Sequence, residues 1–80
     1  MHDPKDVEAL KLLRREFMKH FIDTAMADLR VSHGVAYVRG TLSNMPGATT
    51  PCKEATERVV HHLRTMPHLR DVVVDAIFKD

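Results

Sequence analysis

The sequence predicts an α+β domain, a two-layer αββαβ sandwich in which two helices cover one face of a mixed three-stranded sheet. Three observations predict it. Two segments carry apolar residues at helical period, two alternating segments flank His33-Gly34, and a β-branched run occupies residues 69–78. The chain has 80 residues, which suits a single domain over 1–80, and its 12 Lys+Arg against 11 Asp+Glu leave a net charge of +1. A domain this small buries only about 60% of its unfolded surface, so a substrate-sized interior pocket competes directly with the core. The size therefore argues against an enzyme.

Asp3 before Pro4 suits an N-cap and first helical position, because the N–H that proline lacks has no partner there anyway. Beyond it Leu10, Leu13, Phe17 and Phe21 form one stripe, flanked by Val7, Met18, Ile22 and Ala25, while Glu8, Arg15, Glu16, Lys19 and Asp23 face away. Leu12 falls on the charged side and Arg14 on the apolar side. From Ala27 the period becomes two, with Ala27, Leu29 and Val31 alternating with Asp28, Arg30 and Ser32. His33-Gly34 supplies a tight turn, and Ala36, Val38, Gly40 and Leu42 then alternate with Val35, Tyr37, Arg39 and Thr41 in an antiparallel return. A glycine in mid-strand weakens a strand, so Gly40 is expected to permit a bulge or the close packing of a helix.

Ser43 to Thr50 is loop chemistry, and Thr50-Pro51 reads as a second N-cap and first helical position. Cys52, Ala55, Val59, Leu63 and Met66 make the next stripe, with Val60 at its edge and Glu54, Glu57, Arg58, His61 and Arg64 opposite. Pro67 stops the helix. The run Leu69–Phe78 is apolar at both parities, which predicts a third strand that is central or covered on both faces. The free sheet face is then expected to carry Arg30, Ser32, Tyr37, Arg39 and Thr41.

The hairpin Leu29-Arg30-Val31-Ser32-His33-Gly34-Val35-Ala36-Tyr37-Val38-Arg39-Gly40-Thr41-Leu42 resembles the signature of the BON domain, the bacterial osmotically-inducible and nodulation module. Gly34 matches its turn glycine and Gly40 the glycine of its second strand. Ala55, Val59, Leu63, Leu69 and Val72 are similar to the helix and closing strand of that family, so the resemblance spans roughly 10–78. The chain departs from the pattern at His68, where a glycine is usual, and at Val74, where asparagine is common, and its loop from Ser43 to Thr50 is long. The resemblance implies an αββαβ fold without catalysis, in a family linked to phospholipid or envelope association and, in some cytoplasmic members, to potassium binding.

Six histidines, His2, His20, His33, His61, His62 and His68, show neither an i,i+4 pair on a helix nor a Cys/His metal spacing. Adjacent His61 and His62 point about 100° apart on a helix. No metal and no cofactor are expected, and the histidines read as surface or boundary residues, with pH sensing as the remaining alternative. Cys52 stands in the first turn of a helix, where the dipole favours a thiolate, yet it also lies on the apolar stripe and reads as a buried structural residue. As the one cysteine it forms no intramolecular disulfide, which points to a reducing, cytoplasmic location, or to the envelope if a signal has been removed upstream. No stretch approaches the roughly 20 apolar residues of a membrane span.

A G-x-x-G loop is missing, the basic residues of the first helix are interleaved with acids, and the net charge of +1 offers little counterion release, all of which argues against nucleic acid. The expected function is a small non-catalytic binding module that contacts a protein partner, a phospholipid surface or a small ion. Its candidate contact residues are Tyr37 and Arg39 on the open sheet face, and Leu12, with Met26, on the outer side of the first helix. The alternative is a stand-alone interaction domain that self-associates as a homodimer through a sheet edge or the Leu12 side.

Overall fold

The computed structural model describes residues 3–80. Its elements are α1 (Pro4–Lys19), β1 (Ile22–Asp23), β2 (Ala27–Ser32), β3 (Val35–Asn44), α2 (Cys52–Leu63) and β4 (Asp71–Lys79). The long strand β3 has partners on both edges. It pairs antiparallel with β2 and β1 and parallel with β4, which makes the sheet mixed. Since β4 follows β3 as far as Ser43, β1 occupies the same edge as β2.

Ala36, Val38 and Leu42 of β3, Leu29 of β2 and Val72 of β4 are buried against Ala9, Leu13 and Phe17 of α1 and Cys52, Ala55, Val59 and Leu63 of α2. Both helices thus lie on one sheet face and the predicted two-layer α+β sandwich is present. Full burial of a side chain such as Phe17 contributes roughly 2–3 kcal/mol, and the layer is the sum of such terms.

Helix α1 opens as its sequence predicts, with the Asp3 carboxylate accepting the Lys5 N–H at 2.8 Å and Pro4 at the first position. It closes earlier than the stripe suggests. Phe21 takes a positive φ of 57° and donates its N–H to Met18 O at 3.1 Å, reversing the chain. Phe21 is therefore half exposed rather than in the core, Met18 is exposed, and Ile22 is buried in a short strand β1 that the three-strand expectation lacks. Glu16 also departs from expectation. It is 5% exposed, because α2 packs beside it, and its Oε1 lies 3.5 Å from Lys19 Nζ and 3.6 Å from His62 Nε2.

Between β1 and β2 the register slips by one residue: Asp23 faces Ser43 and Ala27 faces Gly40, so Thr24, Ala25 and Met26 stand against Thr41 and Leu42. This is a bulge. Asp23 Oδ1 accepts the Ala25 N–H at 2.8 Å, and Met26 O accepts the Thr41 N–H at 3.0 Å. Gly40 has φ +97°, and a Cβ there would sit 2.7 Å from Met26 O and 3.1 Å from Ala27 Cα. The close approach that requires glycine is made by the neighbouring strand, not by a helix.

The two-residue turn places His33 at φ 51° and Gly34 at φ 80°, the left-handed pair of a type I′ hairpin. Asp6 of α1 reaches across to it, its two carboxylate oxygens accepting the His33 and Gly34 N–H groups at 3.1 Å each. From the other side Gly34 O accepts the Arg70 N–H at 2.7 Å, leading the chain into β4. Helix α2 begins at Cys52 with Pro51 as its extended N-cap, one residue later than the Thr50-Pro51 pattern predicts, and Pro51 supplies no side-chain cap. The Asp80 carboxylate does so instead, accepting the Cys52 N–H at 2.6 Å. A negative group there meets both an orphan donor and the positive end of the helix dipole.

Strand β4 is an edge strand and is covered on one face, which corrects the expectation of a central or doubly covered strand. Val72 is buried and Val74, Ala76 and Phe78 pack on the core, while Val73 and Ile77 are exposed on the opposite face.

Two substitutions test these constraints in urea unfolding. Gly40→Ala is expected to cost at least about 2 kcal/mol, from the clash with Met26 O and the positive φ; an unchanged midpoint would refute the close approach. Asp6→Ala is expected to cost roughly 1–2 kcal/mol by leaving two turn N–H groups without their charged acceptor.

Candidate functional site

Alternation along β2, β3 and β4 sends one set of side chains away from the helices. The register arranges them in rows. Arg30, Tyr37 and Val73 stand side by side, then Asp28, Arg39 and Asp75, then Thr41 and Ile77, and beyond them Ser43 and Lys79. Tyr37, half-buried at the centre, stands beside Val73, which is 42% exposed, while Ile77, 65% exposed, lies two rows further along, beyond Arg39 and Asp75. Ile77 is a separate apolar group, and Tyr37 with Val73 forms a small apolar patch on an otherwise polar face. Asp28, Arg30, Ser32, Tyr37 and Arg39 enclose a shallow depression of about 320 Å³ beside it.

The charges of this face largely cancel. Arg30 Nε lies 3.1 Å from Asp28 Oδ2, Arg39 is in register between Asp28 and Asp75, and Lys79 and Asp71 occupy the two ends of β4. The arrangement suits contact with a surface that offers apolar groups and dispersed polar partners. It does not concentrate one sign of charge.

Of the residues singled out in the sequence, Tyr37 and Arg39 come together here. Leu12 does not join them: it is half-buried on α1, in the helix layer on the other side of the sheet. Met26 is exposed, but it belongs to the bulge before β2 and not to the helix. Gly34 and Gly40 act on the backbone, as the turn and the bulge contact described above. Val73, Ile77 and Asp75 are the members that sequence reasoning missed. The signal for Val73 and Ile77 was present in the apolar residues at both parities of β4, and it marked an uncovered face instead of a second layer.

Cys52 is fully buried, and burial pushes its thiol above the ordinary value of 9.0, the Asp80 carboxylate adding in the same direction and the Thr56 hydroxyl and the Lys79 backbone opposing. The helix terminus, whose dipole favours a thiolate, is already occupied by Asp80. His33, His61, His62 and His68 are exposed, His20 is partly so, and His2 lies outside the described residues. Among the described residues no group of three or more His, Cys, Asp or Glu is placed to hold a metal ion, and no helix is long and apolar enough to cross a membrane. Compared with known proteins, the chain matches no family model, no curated protein and no solved structure.

The raised thiol has a measurable consequence. Labelling of Cys52 by a thiol reagent at neutral pH is expected to be at least about 100-fold slower in the folded protein than in denaturant, because reaction waits on local opening. Equal rates in both would place the thiol at the surface.

Proposed function

We propose that the chain is a small non-catalytic binding module of BON-like type that docks a protein partner on the open face of its sheet. The observation that carries this reading is the adjacent pair Tyr37 and Val73, with Ile77 beyond the Arg39–Asp75 row, left uncovered on a sheet whose opposite face is layered by two helices. Aromatic and aliphatic groups flanked by arginine are the composition that protein interfaces favour. A phosphate-rich ligand, whether lipid headgroup or nucleic acid, draws its affinity from an excess of cations. Here Arg30, Arg39 and Lys79 are matched by Asp28, Asp71 and Asp75, so the balance favours protein over an anionic membrane.

The non-catalytic part of the reading is supported by how the reactive groups are used. Cys52 is buried with a raised pKa, and Asp6 and Asp80 hold backbone N–H groups. The BON-like part is supported by Gly34 in the hairpin turn and Gly40 at the bulge contact, where side chains are excluded for backbone reasons. A lone buried cysteine fits a reducing compartment, and the cytoplasm is the location this reading carries.

Photo-crosslinking in the host cell tests it, with benzoylphenylalanine replacing Tyr37 on the open face and, as control, Arg15 on the exposed side of α1. A discrete adduct to a different protein from position 37 alone is expected, weakened roughly ten-fold by Arg39→Ala with Val73→Ala. Identical adducts from both positions, or no adduct with co-sedimentation on phosphatidylglycerol vesicles, would overturn the proposal.

A further inference from the structure

The geometry points to a second copy of this chain as the occupant of the free edge of β4, paired strand to strand about a twofold axis at Asp75. Among the described residues β4 is hydrogen-bonded to β3 alone, so the other edge of a nine-residue strand is open. It contains Val72-Val73-Val74 and Ala76-Ile77-Phe78, an apolar content that makes an open edge prone to pairing. The opposite edge of the sheet is a poorer template: β2 has six residues and breaks at the bulge of Thr24–Met26.

The sequence of β4 is complementary to itself when reversed. With Asp75 facing its own copy, all nine residues pair. Asp71 then stands opposite the second copy's Lys79, and Lys79 opposite the second copy's Asp71, so opposite charges meet at both ends. Between them Val72 faces Phe78, Val73 faces Ile77 and Val74 faces Ala76, each pair occurring twice. A shifted register centred on Ile77 also brings Lys79 to Asp75, but it leaves Asp71 to Val74 without partners.

The central Asp75 pair opposes like charges, and each carboxylate is in register with Arg39 of its own β3, which offsets part of the repulsion. Directly opposed residues of an antiparallel pair share a face, so the helices of both copies lie on one side. There a groove of about 510 Å³ runs between α2 and β4 over Val60, Val74 and Phe78, and the second copy's apolar residues extend its floor. On the other side Val73 lies beside the second copy's Ile77, and the two open faces join. The pairing depends on β4 alone and holds whether or not that face docks a partner.

Sedimentation equilibrium of the purified chain over a concentration series tests the pairing, with circular dichroism confirming that each variant folds. A reversible species of twice the 9.1 kDa chain mass is expected. Asp71→Lys and Lys79→Asp each weaken the dimer roughly ten-fold, by turning both end pairs into like charges. Combining them restores it, which a loss of the Asp71 contact with Arg64, at 3.6 Å, does not explain. Asp75→Asn tightens it. A monomer at every concentration, or a dimer indifferent to the β4 charges and dissociated by Arg30→Asp on β2, overturns the inference.

Discussion

Strand β3 has to be hydrogen-bonded on both edges while its neighbour on one of them is interrupted, and the domain is organised around that requirement. β4 follows it in register from Val35 to Ser43, whereas the opposite edge is shared by β2 and β1. The two segments fit because Thr24, Ala25 and Met26 bulge, and the bulge fits because Gly40 presents no side chain to Met26 O. From this junction the positions of the other elements follow. The bulge turns the chain from β1 into β2, and β1 in turn fixes where α1 has to stop.

The ends of the two helices are tied down by carboxylates distant in sequence. Asp6 joins the first turn of α1 to the β2–β3 turn, and Asp80 joins the start of α2 to the residue after β4. Each supplies a charged acceptor to N–H groups that a short turn or a helix terminus leaves without partners. For a chain of 80 residues these are substantial contributions, because a core of this size leaves a small net stability.

The surfaces left uncovered are the open face of the sheet and the β4 edge. One sheet face is given to the core, and the other presents Tyr37, Val73 and Ile77 among balanced charges. The β4 edge borders that face, and the proposed pairing of a second copy there would widen it without altering either core. Leu12 and the exposed Met26 lie apart from this surface, on the helix and in the bulge.

Much of the fold was legible in the sequence because its local patterns are strong. The period of two around His33-Gly34, the helical stripes of Leu13 with Phe17 and Val59 with Leu63, and Asp3-Pro4 at the first helix each specify local structure by sterics and burial. Tyr37 and Arg39 could be placed on the open face by parity alone. Periodicity carries no information about which arc a neighbouring helix covers or where the chain reverses, so buried Glu16 was decided by packing against α2, exposed Phe21 by the reversal at its positive φ, and the one-sided β4 by the uncovered sheet face. The roles of Asp6, Asp80 and Gly40 belong to the tertiary structure for the same reason. Each acts on backbone groups of another element, and only the folded chain determines which groups those are.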